Sequence, residues 1–206
     1  SKGSGSVAIN VGANVAVNAH TFIGIQASTT GVGDINIQTG DGDTIYGGSI
    51  GVNAQSQATS EPATGNVMVV LGNDTIHSGS HVTGNGGATP GAVSAGYAPN
   101  GAPSLANAVS GNVTVQSNAQ ITADAGVGIN AYNWGKGNVT VSTGSASSIT
   151  APGNGIQVNA LNGGNVSITN GGSIHAGGTG ITANANLGSS ASGGTAFGLS
   201  GRSSAS

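Results

Sequence analysis

The sequence predicts an all-β solenoid, a coil of short parallel strands stacked rung upon rung. Three observations predict it. The motif G-[NSD]-V/I-x-V/I occurs six times, starting at Gly5, Gly33, Gly65, Gly111, Gly137 and Gly164. The starts lie 28, 32, 46, 26 and 27 residues apart, which is the period range of solenoids and arrays. Each motif is followed by two more short apolar alternations, separated by Gly, Asn and Ser turns. Alternation with period two places one face of a strand in a core and the other in water.

The first strand of each repeat is the V-x-V segment itself. Its inward columns read Val7, Ile35, Val67, Val113, Val139, Val166 and Ile9, Ile37, Val69, Val115, Val141, Ile168. β-Branched residues suit a buried pleated strand. The second strand centres on Ile45, Ile76, Ile121, Ile149 and Ile174, with Val15 or Val17 in that part in the first repeat. The third is G-[IV]-x-[AV], as in Gly24–Ala27, Gly51–Ala54, Gly128–Ala131, Gly155–Val158 and Gly180–Ala183. Ala92–Ala95 takes its place in repeat three, one glycine short of the pattern. One repeat cannot bury its own apolar face, whereas a stack can. Six rungs at strand spacing give a rod roughly 30 Å long.

Asp34, Asn66, Asn112, Asn138 and Asn165 occupy one equivalent position, with Ser6 at the head of the column. The expectation is a structural ladder, in which stacked side chains hydrogen-bond along the rod and satisfy turn backbone groups. The 46-residue spacing holds an insertion over 77–109, with Pro90, Pro99 and Pro103. Proline interrupts continuous pairing, and long loops on rigid scaffolds are where function concentrates. A smaller excess, 55–64, carries Glu61-Pro62. Residues 1–206 read as a single solenoid domain, and its first residues read as a cut through a longer chain.

Composition narrows the function classes. The chain has 3 Lys+Arg and 6 Asp+Glu, so no basic patch offers itself to nucleic acid. It has no cysteine, which suits passage through an oxidising compartment. No run of about 18 apolar residues exists to span a membrane as a helix.

Chemistry-bearing groups are few. Asp43 and Asp74 each precede a second-strand Ile by two residues and so stack in neighbouring rungs. Two such carboxylates could form an acid/base pair or hold Ca²⁺, and Gly72–Ile76 resembles part of a calcium-roll repeat. Calcium rolls recur every nine residues, however, and these two copies are 31 apart. The preferred reading is two exposed turn aspartates with no metal. His77 and His81 are too loosely spaced for a zinc pair. No Ser-His-Asp grouping or phosphate loop stands out, so no catalytic residue and no cofactor are expected. Tyr132-Asn133-Trp134 offers rings at a corner, and Tyr97 lies in the insertion. Tyr97, Tyr132 and Trp134 are the candidate contact surface, the alternative being rings that shield the corner from solvent. The outward threonines (Thr114, Thr122, Thr140, Thr150) form no long regular rows, which argues against an ice-binding face.

The rungs Gly111–Asn133, Gly137–Asn162 and Gly164–Leu187 carry G-N-V-[TS]-[VI], then I-[TH]-A, then G-I-x-[AV]. This pattern resembles the passenger region of Gram-negative autotransporters, and is similar to the hemagglutinin-like exoproteins of two-partner secretion. The resemblance covers nearly the whole chain outside the insertion. It implies a right-handed parallel β-helix of about six to seven rungs. It further implies export across the outer membrane, display at the cell surface or release, and a role in adhesion, aggregation or biofilm. The expected partners are a host or neighbouring cell surface, a glycan, or another copy of the rod packed alongside or end to end. Two alternatives come from other classes. One is a self-assembling solenoid that forms fibres, since neither end has an obvious polar capping repeat and uncapped coils invite strand pairing. The other is a polysaccharide-acting β-helix enzyme, which would want clustered acids and basic residues in a groove. Only Lys2, Lys136 and Arg202 are basic here.

Overall fold

The computed structural model describes residues 3–58, 63–81, 91–98, 108–186 and the backbone of strand 196–200. The described residues form three parallel sheets and about six turns of a β-solenoid, with no helix. The first rung holds β1 (Val7–Asn10), β2 (Ala16–Ala19) and β3 (Ile23–Thr29). The second holds β4 (Ile35–Gln38), β5 (Thr44–Gly47) and β6 (Ile50–Ser56). The third holds β7 (Val67–Leu71), β8 (Thr75–Ser78) and β9 (Gly91–Tyr97). Next come β10 (Val113–Ser117), β11 (Gln120–Ala123) and β12 (Val127–Asn133). The fifth rung is β13 (Val139–Thr143), β14 (Ser148–Ala151) and β15 (Ile156–Ala160). The sixth is β16 (Val166–Asn170), β17 (Ser173–Ala176) and β18 (Ile181–Ala185), and β19 (Ala196–Ser200) pairs with β16.

Every strand pairs with its counterpart one period on, so each repeat is one turn of the coil. The register aligns like with like. Val67, Val113, Val139 and Val166 are successive partners in the first sheet. Ile45, Ile76, Ile121, Ile149 and Ile174 are partners in the second, and Val17 pairs with Ile45. Val17, not Val15, therefore fills the second-strand position of rung one. These columns make the core: Ile45, Ile76, Val93, Val113, Ile129, Val141 and Ile156 are all fully buried. Each such side chain contributes about 1.5–3 kcal/mol by leaving water.

The third-strand glycine has a packing reason. A Cβ on Gly51 would lie 2.7 Å from Ile76 Cγ2, and one on Gly24 would lie 3.0 Å from Ile45 Cγ2. Each glycine thus leaves room for the second-strand Ile of the following rung, which lets the third sheet close tightly against the second. Rung three has Ala92 there, and it is fully buried.

Within 77–109, β9 runs as the third strand of rung three and pairs with both β6 and β12. All seven of its residues are buried, so its outer face is covered as well as its inner one. Ala63 and Val109 form an isolated parallel bridge that leads the chain back into the first sheet. Pro90, Pro99, Pro103 and Glu61-Pro62 lie outside the described residues.

Candidate functional site

Parallel stacking puts Asp34, Asn66, Asn112, Asn138 and Asn165 above one another at the turn that enters the first sheet. Their side chains join successive rungs through a side-chain oxygen and the next backbone N–H. The Asn66 N–H donates to Asp34 Oδ1 at 2.7 Å, and the Asn112 N–H to Asn66 Oδ1 at 3.0 Å. The Asn138 N–H donates to Asn112 Oδ1 and the Asn165 N–H to Asn138 Oδ1, both at 2.9 Å. Ser6 Oγ accepts from the Asp34 N–H at 3.1 Å. A ladder of this kind needs only an acceptor oxygen, which explains why Ser, Asp and Asn share the column.

Asp43 and Asp74 are 1 % and 2 % exposed. The expectation of exposed turn aspartates is corrected: both point into the corner between the first and second sheets. Asp74 Oδ1 accepts the Asp43 N–H at 3.0 Å, and Asp74 Oδ2 accepts the Thr39 hydroxyl at 2.5 Å. Asp43 Oδ1 accepts the Val15 N–H at 2.7 Å, while its Oδ2 has no partner. Burial pushes the Asp74 carboxyl above its ordinary range; the bonds from Thr39 and from the Asp43 N–H oppose this, and the charges of Asp43 and Asp41 add to it. A hard cation takes six to eight oxygens. Each Asp74 oxygen already accepts one bond from the protein, and of the pair's four oxygens only Asp43 Oδ2 accepts none. Among the described residues no three His, Cys, Asp or Glu converge as a metal-binding group. The arrangement is a polar structural column, a reading extended further along the corner by the Thr143 and Asn170 pair at 2.5 Å.

The aromatic candidates separate. Tyr97 is 1 % exposed and fills the corner between the third and first sheets, so it is no contact surface. Its hydroxyl donates to the Gly65 carbonyl, and burial raises its pKa despite a bond with Ser56. Asn133 occupies the same column one rung on, and sequence reasoning assigned it no role. It is fully buried; Nδ2 donates to the carbonyls of Gly111 at 2.9 Å and Gly137 at 3.1 Å, and Oδ1 accepts the Gly135 N–H at 2.8 Å. Tyr132 points the other way. Its ring lies over Gly96, where any side chain would strike it. Burial raises its pKa, and it hydrogen-bonds with the Ser94 and Gln55 side chains, so Tyr132 covers the third sheet. Trp134 is partly exposed just beyond, its backbone N–H donating to the Tyr97 carbonyl at 3.2 Å.

A grouping the sequence reading missed lies on the outer face of the second sheet. Asn18, Tyr46, His77 and Thr122 are successive partners whose side chains alternate with the buried Val/Ile column. The Tyr46 ring is 5.1 Å from that of His77 in an edge-on arrangement, and 6.3 Å from that of His20. His77 Nε2 lies 2.8 Å from Asp124 Oδ1, with side chains 39 % and 50 % exposed. The carboxylate only accepts, so the imidazole donates through Nε2, which in the neutral ring leaves Nδ1 as an acceptor. Alternation marked His77 as outward, but nothing in the sequence linked it to Asp124, 47 residues on.

No described helix is long and apolar enough to cross a membrane. No protein-family model, curated protein or solved structure matched the chain.

Proposed function

We propose that the chain is a non-enzymatic rod segment of an exported bacterial protein, displayed at the cell surface or released, that serves adhesion, aggregation or biofilm formation. One observation carries this reading: polar side chains at its turns and corners hold rung to rung. The Asn ladder, the Asp43–Asp74–Thr39 corner and the Tyr97/Asn133 corner each join neighbouring turns or close a turn. Such a molecule is built to keep its shape over distance. Its resemblance to autotransporter passengers and hemagglutinin-like exoproteins supplies the setting, outside a Gram-negative outer membrane. The partners that fit are a host or neighbouring cell surface, its glycans, or another copy of the rod.

The test is adhesion of beads coated with the purified chain to cells and to each other, run beside a reducing-sugar assay on a polysaccharide panel. Adhesion without sugar release is the expected outcome. Catalytic release of reducing ends would overturn the reading in favour of a polysaccharide-acting enzyme.

A further inference from the structure

We propose that the outer face of the second sheet at His20, Tyr46, His77 and Asp124 binds a neutral saccharide. This deepens the adhesive reading and rests on it in taking a carbohydrate-bearing surface as the partner.

The four side chains come from four consecutive rungs and form a strip along the rod axis. Tyr46 lies between the two imidazoles, with ring centroids 5.1 and 6.3 Å away. Glycines set the strip's shape. A Cβ on Gly79 would lie 2.9 Å from the Tyr46 hydroxyl, and one on Gly48 would meet the His20 backbone. The Tyr46 ring therefore lies low over the sheet, with its hydroxyl above Gly79.

The chemistry of the strip selects its ligand. Tyrosine offers an apolar ring with a polar tip, the combination enriched at recognition surfaces. In its neutral form His77 leaves Nδ1 to accept a hydroxyl, and Asp124 Oδ2 extends the row of acceptors beside it. The flanking outward residues Thr44, Thr75, Gln120 and Thr122 are exposed and uncharged. Asp124 already receives the His77 imidazole through one oxygen, and the strip carries no Lys or Arg to attract a polyanion. A molecule with an apolar ring face and a hydroxyl edge meets both halves of the strip at once. That is a pyranose. The rung spacing of about 4.8 Å is comparable to one hexose unit, so successive rings can meet successive sugars.

The test uses the whole chain with cellotetraose, maltotetraose and chitotetraose as neutral probes, a hyaluronan tetrasaccharide as the anionic control and spermine as the cationic one. The imidazole Cε1–H signals of the four histidines are followed by NMR. A neutral probe is expected to move His20 and His77 and leave His175 in place. Tyr46→Ala should weaken that binding by about tenfold with an unchanged melting temperature. The proposal is overturned if no neutral probe moves His20 and His77, if only a control does, or if Tyr46→Ala binds as well as the parent. Bead adhesion separates the two readings. Adhesion by the parent chain with no response of His20 and His77 to any neutral probe sinks the saccharide site and leaves the adhesive function standing. A parent chain that binds the tetrasaccharide but never adheres keeps the site and removes the function.

Discussion

Asn66 and Asn112 are 46 residues apart, yet the side chain of the first accepts the backbone N–H of the second at 3.0 Å. The longest interval between repeats leaves the ladder unbroken. The coil closes at the same position before and after it, because β7 and β10 pair in full register. Extra length between rungs costs little when the ends are already held together, since loop entropy grows only slowly with length.

Asn112→Ala removes the acceptor of the Asn138 N–H. The turn is exposed, so water replaces part of the bond, and the expected loss is about 0.5–1 kcal/mol. Asn112→Asp keeps the oxygen and should be close to neutral, as Asp34 already does this work for Asn66 at 2.7 Å. Urea midpoints of the two variants check the pair. Equal losses would mean that the amide NH₂, not the oxygen, matters.

Much of this was legible in the sequence, and the part that was not has a physical reason. Strand positions and register follow from alternation, because each V-x-V or Ile column has one place to go. The same rule placed Asp43 two residues before Ile45, and Tyr97 two after Ala95, on the buried face. The usual preference of aspartate for exposed turns and of a loop tyrosine for the surface ran against that parity, and parity won. Asn133, two residues after Ala131, carried the same signal. The His77–Asp124 pair carried none. Asp124 follows β11 in a turn, where alternation no longer fixes direction, and only the stacked rungs bring the two together.

Asp43 Oδ2 is buried without a partner, and the next rung suggests the remedy. There the corresponding Asp74 Oδ2 accepts the Thr39 hydroxyl. The residue one rung before Thr39 is Val11, as the pairing of Asn10 with Gln38 sets out. Val11→Thr would present a hydroxyl to the unpaired oxygen and should stabilise the chain by about 1 kcal/mol. Thermal melts of Val11→Thr beside the parent decide it. A Thr variant no more stable than the parent would show that the hydroxyl does not reach.

Asp74 predicts a pH dependence. Its folded pKa is raised above the ordinary 3.8, mainly by burial. The folded state therefore holds this proton more tightly than the unfolded chain does. The stabilisation is complete below 3.8 and is lost as pH rises through the folded value. Asp74→Asn keeps an oxygen for the Asp43 N–H and can donate to Thr39 Oγ1, without a charge to bury. Between 3.8 and neutrality its stability should fall less than that of the parent. Parallel melting curves across that window test the sign, and a steeper fall in the variant would refute it.

Tyr97 and Asn133 make one prediction together, because they solve the same problem with different groups. Each reaches from the third sheet to the glycine carbonyl that opens a first-sheet repeat, Gly65 for Tyr97 and Gly111 for Asn133. Tyr97→Phe keeps the ring and deletes the donor, so its cost should be that of one unsatisfied buried carbonyl, about 1–3 kcal/mol. Asn133→Ala loses bonds to Gly111, Gly137 and Gly135 together and should cost roughly 2–4 kcal/mol. Hydrogen exchange gives the finer test. The Gly135 amide should lose protection in Asn133→Ala and keep it in Tyr97→Phe, because Asn133 Oδ1 is its acceptor. Unchanged protection in Asn133→Ala would mean that the corner is held by strand pairing alone.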